Sequence, residues 1–356
     1  MVISELLPLP LPLSKRRVEY NEKEKTVDKV RIGVMSFAHM HACSYSACLK
    51  NIPNAEFAGI YDDNTKRGKE MAARYGVKFF NTEKKFFAQK LNGVIICSEN
   101  SKHLPMAASA AKAKVHILCE KPLSVSIKDA NKMLSLTSKA GIKLMIAFPC
   151  RFIPSIVKAR RVLDSGEIGR VLAVKATNHG TMPGGWFIDK KFSGGGAVMD
   201  HTVHVADLLR WFLRQEVRTV YAEIDKSIHN KKIDDCGTLL FEFENGVFAS
   251  LDPSWSRPKS FPVWGDVTID IIGEKGNIYV DAFSEVIDIY DDKVGKHTCR
   301  SWGSNADLGL VKNFVDMIFY NRTPFISGYD GLKSLEVALG AYKSAAKNKV
   351  INLPLA

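Results

Sequence analysis

No stretch of the 356-residue chain approaches the roughly 20 consecutive apolar residues of a membrane-spanning helix, so no such span and no membrane partner are expected. There is no C-x-x-C pair. The seven cysteines (Cys43, Cys48, Cys97, Cys119, Cys150, Cys236 and Cys299) are odd in number, and most stand inside apolar runs such as VIIC and HILC. That pattern fits reduced, buried thiols in the cytoplasm and excludes a secreted disulfide framework. No neighbouring residue marks one of them as a catalytic thiolate. The net charge of +12 comes without a long basic block or a recognisable nucleic-acid-binding motif. It reads as a solvated basic surface that favours phosphate-bearing cofactors, and no nucleic-acid partner is expected. No internal repeat is present.

What is there is ordinary for a globular chain: 46% hydrophobic and 25% charged residues. The length suggests about two domains and a core that needs no staple. Residues 1–28 stand apart. ISELLPLPLPL alternates Leu with Pro, which blocks a continuing helix, and KRRVEYNEKEKTVDK follows as a polar run. A signal peptide would place its positive charge before the apolar core, so this segment reads as an extension, wrapped on a surface or disordered.

From Lys29 to Cys150 short apolar strands alternate with helical segments: KVRIGVM, AEFAGIY, LNGVIICS, VHILCE and KLMIAFP are the five strands. This alternation predicts a doubly wound parallel sheet, a dinucleotide-binding α/β domain over residues 29–150. Residues 151–356 change style. The helical block AVMDHTVHVADLLRWFL is followed by VRTVYAEI, GTLLFEFENGVFASLDPSW, VTIDIIGEKGNIYVDAF and EVIDIYDD, with hairpin signals at ENG and GEKGN. The expectation is an α+β domain on a large, mostly antiparallel sheet, closed by two amphipathic helices.

Four places carry chemistry. The first strand-to-helix turn is where a dinucleotide seats its pyrophosphate, on a G-x-G-x-x-G fingerprint. Here the three glycine positions hold Ser36, Ala38 and His41. Ser36 and Ala38 are small enough for close approach, whereas His41 must crowd the helix or turn outward. Asp62 follows 21 residues after His41, at the end of the second strand, where an acid binds the adenosine ribose; the same residues also describe a solvated Asp-Asp-Asn turn. With Asp63 beside it this favours NAD over NADP, and Lys66 and Arg67 keep NADP open. Glu120-Lys121-Pro122 lies at the carboxyl end of the fourth strand, where a lysine can stabilise an alkoxide or assist its formation, or simply close a turn. Beyond it, Ser126 and Asp129 suit a capping box. Finally Gly194-Gly195-Gly196 leads into Asp200 and His204, which share a helix face and suit either general acid–base work or a structural pair. The triple glycine suggests close approach of backbone to a ligand. His39, His41, His179, His201 and His204 lack the local spacing with cysteine or a third acid that zinc needs, so no metal is expected. Trp186, Trp255, Arg151 and Arg257 flank predicted loops, in packing roles or at a polar pocket.

Taken together, VHILCEKPL, SGGGAVMDHTVHVADLLRW and GLKSLEVALGAYKSAAKNKVINLP make the chain resemble the Gfo/Idh/MocA oxidoreductases from about Lys29 to Pro354. The resemblance implies hydride transfer between NAD(P) and a carbinol or ketone carbon of a sugar, cyclitol or related polyol. It implies catalytic roles for Lys121, Asp200 and His204, with His204 the general acid/base. Expected cofactor contacts are Ser36, Phe37, Ala38, His39, Asp62, Ser98, Asn100, His103, Glu120 and Lys121. Expected substrate contacts are Arg151, His179, Trp186, Asp200, His201 and His204. It also implies a homodimer or homotetramer through the large sheet, and terminal helices that return to the nucleotide domain. The missing glycines keep open a non-catalytic cofactor- or metabolite-binding regulator on the same fold, and the resemblance also leaves a lyase or hydrolase that uses NAD transiently.

Overall fold

The computed structural model describes residues 29–301 and 303–355; the expected extension over residues 1–28 lies outside them. The first layer is a parallel sheet of β1 (Val30–Met35), β2 (Ala55–Tyr61), β3 (Phe79–Phe80), β4 (Gly93–Ile96), β5 (His116–Cys119) and β6 (Leu144–Ile146), in the order β3-β2-β1-β4-β5-β6. β4 and β6 are buried at every residue, as strands covered on both faces must be. β3 is an addition to the five expected strands. Two residues carry no legible period, and only their pairing with Ile60 and Tyr61 makes them a strand. The strand order reverses at β1, with β2 on one side and β4 on the other, so the crevice beyond their carboxyl ends is where such a sheet binds its ligand.

The second layer is a seven-stranded sheet. β7 (Val171–Gly180), β8 (Val217–Asp225), β9 (Cys236–Phe243), β10 (Phe248–Asp252), β11 (Gly265–Gly273), β12 (Asn277–Asp281) and β15 (Ile351–Asn352) lie in the order β12-β11-β7-β10-β9-β8-β15, while β13 (Val286–Asp291) and β14 (Lys296–Ser301) form a separate hairpin. Pairing is antiparallel except between β7 and β10, because the chain leaves the sheet after β7 and returns through β8 and β9. One face buries Leu239, Phe241, Ala249 and Leu251 in a core shared with the helix Ala197–Leu213. The alternate residues Leu240, Phe248, Ile272 and Tyr279 face outward and stay exposed.

Two terminal helices tie the layers together. Ala306–Phe319 packs on the helix His41–Lys50 and places Leu310, Phe314 and Met317 in the first core. Gly328–Lys347 begins at a Ser327–Asp330 capping box and gives Leu335 and Ala338 to the first core, Val337 and Ala341 to the second. At the start of the helix Ile127–Lys139, Ser126 accepts the Asp129 N–H at 3.1 Å.

A buried ion pair braces this junction. Arg151 donates Nε and Nη2 to Asp207 at 2.7 and 2.6 Å and reaches Asp330 at 3.3 Å, and Arg210 reaches the same Asp330 at 3.2 Å. Asp207→Ala leaves the Arg151 guanidinium buried without its forked partner, a loss of about 3–5 kcal/mol. Urea unfolding should show it as a lower midpoint at unchanged slope, and the double variant Arg151→Met/Asp207→Leu should recover part of the loss.

Candidate active site

Each candidate side chain sits at an element end. Ser36 closes β1 with φ of 70°, the left-handed conformation that a fingerprint glycine normally supplies. Its Oγ accepts the Ala38 N–H at 3.2 Å, the Phe37 N–H reaches Asp62 Oδ2 at 2.8 Å, and the His39 N–H reaches the Cys97 carbonyl at 2.9 Å. The turn therefore holds its shape with internal partners in place of glycine. Asp62 is fully engaged: besides Phe37 it accepts the Asn64 N–H at 2.8 Å and a fork from Arg67 at 2.8 and 2.7 Å. The acceptor expected for the adenosine ribose is thus held by Arg67. Ser98 donates to the Glu99 carbonyl. Asn100 donates to the Ser193 carbonyl at 2.8 Å, and buried His103 contacts the Pro122 carbonyl through Nδ1 at 2.9 Å, which fixes the turn after β5.

Lys121, delivered by β5, meets Asp200, delivered by the helix Ala197–Leu213. The Lys121 ammonium donates to Asp200 Oδ1 at 2.5 Å and to its carbonyl at 3.3 Å. The other Asp200 oxygen accepts Trp255 Nε1 at 3.2 Å and stands 3.4 Å from His201 Nε2. Burial alone would raise the Asp200 pKa, but the Lys121 ammonium and its neighbours hold it well below the usual carboxylate range. One turn on, His204 is held far below the ordinary imidazole range, first by burial and then by Lys121, and its Nδ1 has no protein partner. Lys121, Asp200 and His204 line one cavity of about 710 Å³ together with His39, His41 and Phe187, a size suited to a small ligand.

The glycines before this helix serve packing. A Cβ on Gly195 would stand 2.2 Å from the Tyr342 hydroxyl, and one on Gly196 would stand 1.9 Å from the Asp234 carbonyl oxygen. They admit a clamp on the helix N-terminus: Asp234 accepts the Gly196 and Val198 N–H groups at 2.8 and 2.9 Å, and the Tyr342 hydroxyl donates to Asp234. The close approach read from Gly194–Gly196 is therefore to protein, not to ligand. No local pattern marks Asp234 or Tyr342, since one lies in a loop 38 residues on from Gly196 and the other on the last long helix.

Other expected contacts fall elsewhere. Arg151 turns to Asp207, away from this cavity. His201 contacts the Pro253 carbonyl through Nδ1 and acts on Asp200 from behind. Trp186 stacks on Phe187, with ring centres 3.9 Å apart, and donates its indole N–H to the Ala38 carbonyl at 3.0 Å. It thereby pins a loop of the second layer onto the first turn. Phe187 and Trp264 carry no signal in the sequence, and Trp255, expected in packing or at a polar pocket, gives no sign there that its indole supports Asp200.

Two family models match the chain: "Oxidoreductase family, NAD-binding Rossmann fold" over residues 30–148 and "GFO/IDH/MocA C-terminal domain" over residues 156–279. The fold and the gathered lysine, aspartate and histidine define an NAD-binding oxidoreductase. The chain belongs to the Gfo/Idh/MocA family. It is 26% identical over 336 residues to myo-inositol 2-dehydrogenase of Thermotoga maritima, covering 91% of this chain and 98% of that one. It is 25% identical over 334 residues to inositol 2-dehydrogenase of Rhizobium meliloti, with 91% and 99% covered. Among solved structures, GenD2 from gentamicin A biosynthesis in complex with NAD superposes with a TM-score of 0.84 at 22% identity, covering 95% of this chain and all of that one. Scyllo-inositol dehydrogenase from Lactobacillus casei, with bound NAD(H) and scyllo-inositol, gives 0.79 at 21% identity, with 91% and 99% covered.

The crevice fits NAD. It lies at the switch point of the sheet, and His39, which lines the cavity there, carries in Nε2 a buried polar atom with no protein partner.

His179 also lies outside the cavity wall, between Asp252 at 3.0 Å and Asp266 at 3.1 Å. Burial would lower its pKa, but the two carboxylates win and raise it from 6.5 to about 9. A raised folded-state pKa stabilises fully below the unfolded value and is lost as pH rises through the folded one. Wild type should therefore lose thermal stability relative to His179→Gln between pH 6.5 and 9, measured by melting at both ends; parallel curves would contradict the assignment.

Proposed function

We propose that this protein is an NAD-dependent dehydrogenase or reductase that moves a hydride between the nicotinamide and a carbinol or ketone carbon of a sugar, cyclitol or related polyol. The observation that carries the reading is the convergence of Lys121, Asp200 and His204 on one cavity wall at the carboxyl edge of the NAD-binding sheet. The similarity to inositol dehydrogenases supports the substrate class.

The nicotinamide, when bound, accepts or supplies the hydride. In the oxidative direction the carbinol C–H leaves as hydride and the O–H proton goes to protein, leaving a carbonyl. Neutral His204, with its depressed pKa and unpartnered Nδ1, takes the proton. The Lys121 ammonium donates a hydrogen bond to the oxygen as negative charge develops there. Asp200 does not take the proton; through its short bond it aims Lys121, and Trp255 in turn fixes Asp200. The crevice offers Asp62 and Asp63 to the ribose end, two carboxylates that oppose a 2′-phosphate, so NAD is the proposed cofactor over NADP. Arg67, which forks onto Asp62, must adjust when the ribose hydroxyls bind. Six cysteines that stand unpaired among the described residues support a reducing, cytoplasmic setting.

We also propose a homodimer or homotetramer closed through the outer face of the seven-stranded sheet. Leu240, Phe248 and Tyr279 are 52%, 60% and 68% exposed on one face, an apolar surface that a second copy would cover.

Two experiments test these readings. Lys121→Met and His204→Ala should each lower kcat with a polyol substrate and NAD at least about a hundredfold while NAD affinity, read by calorimetry, stays within a few fold; near-wild-type turnover in both would overturn the mechanism. Leu240→Glu/Phe248→Glu should shift light-scattering mass to the monomer.

A further inference from the structure

We propose that the substrate of this cavity is a cationic polyol, an amino sugar or aminocyclitol, whose ammonium group is held by Asp307 with Glu285 in support. The proposal rests on the polyol reading above and deepens it to a substrate class.

The cavity wall is unbalanced in charge. Its Lys, Asp and Glu side chains are Lys121, Asp200, Glu285 and Asp307, one ammonium against three carboxylates, and no arginine lines it. Lys121 and Asp200 answer each other at 2.5 Å, which leaves Glu285 and Asp307. The histidines do not make up the difference. Burial lowers the His39 pKa to about 3 and holds His204 far below its ordinary range. Burial also opposes a charge on His41; Glu120, 3.0 Å away, raises it, and that same carboxylate balances it.

The two remaining acids have hydrogen bonds but no counter-charge. The Ser44 hydroxyl donates to Asp307 Oδ2, while Oδ1 has no hydrogen-bond partner among the described residues. Glu285 Oε2 accepts the Ser304 N–H at 2.6 Å and the Ser304 hydroxyl at 3.2 Å. Such donors fix a carboxylate in place without neutralising it. The first turn of the helix Ala306–Phe319 favours an acid at Asp307, but Glu285 stands just before β13, at no helix end, and lines the same cavity. The Glu285–Ser304 bonds tie the two segments together, so both acids are set by backbone.

The same cavity holds the unpartnered Nδ1 of buried His204, so the ligand these acids address is the reacting one. Where water is partly excluded, an ammonium gains charge-assisted bonds and Coulomb attraction from a carboxylate. A neutral polyol gains only hydrogen bonds there, and a sugar phosphate or uronate meets like charge.

The test measures binding by calorimetry to full-length protein saturated with NADH, whose uncharged nicotinamide cannot oxidise a polyol. The probes are glucose and glucosamine, scyllo-inositol and scyllo-inosamine, and glucuronate. At least one amine should bind at least about tenfold tighter than its neutral parent, and glucuronate more weakly than glucose. Asp307→Asn, which keeps an oxygen for Ser44, should cut the amine-to-parent ratio at least about fivefold, and high salt should narrow it in wild type. A merely structural Asp307 would weaken amine and parent alike and leave the ratio unmoved. The proposal is overturned if neither amine binds tighter than its parent, or if the ratio is undiminished in an Asp307→Asn protein that melts like wild type. Should Asp307→Asn fail to fold, Glu285→Gln and the salt series decide, and a ratio unchanged in both again overturns it. Turnover with NAD judges the polyol reading separately. Oxidation of the neutral parents without amine preference sinks the present inference alone; amine preference in binding without turnover of any probe supports it and sinks the hydride transfer.

Discussion

The bond between Lys121 and Asp200 is the constraint on which the arrangement depends. Each charge sits where water is nearly excluded, so neither is tolerable without the other. Lys121 comes from the end of a strand in the parallel sheet, Asp200 from the first turn of a helix that covers the mixed sheet, and their contact fixes one layer against the other at the site. Everything around the pair serves to hold it. Trp255 and His201 brace the far carboxylate oxygen, His103 secures the turn that follows Lys121, and Asp234 with Tyr342 anchors the helix that carries Asp200. The same surroundings reach His204: burial first, and then the Lys121 ammonium, hold its imidazole far below the ordinary range.

The altered nucleotide turn follows a related logic. Where glycines usually permit the sharp bend, Ser36 adopts the left-handed conformation directly and its hydroxyl closes the bend on Ala38. Asp62 then secures the next N–H, and Arg67 secures Asp62. A backbone that normally depends on missing side chains is here held by polar ones. The two histidines at the end of the turn are brought against Glu120, the residue just before Lys121, so the turn and the catalytic edge form one electrostatic unit.

The parallel sheet, the mixed sheet and the lysine–aspartate–histidine set were legible because each rests on a local pattern: apolar runs alternating with helical segments, period-two stretches with Gly-rich turns, and i,i+4 spacing on a helix. β3 was not, being two residues long. The role of the triple glycine was misread because its partners, Asp234 and Tyr342, lie far along the chain and carry no motif. Arg151 reads as a site residue beside a strand end, yet the buried Asp207 claims it, and only tertiary geometry shows which acid wins. His41 was visible as an oddity in the turn, while its partner Glu120 was hidden by distance.

The helix Gly328–Lys347 contributes side chains to both hydrophobic cores along a single rigid rod. A rod shared in this way couples the fates of the two layers. Neither can lose its packing without stripping apolar surface from the other, so the described chain should behave on unfolding as one cooperative body despite its two sheets. The same sharing limits how the cleft can open, since any hinge between the layers must bend around a helix that both of them already hold.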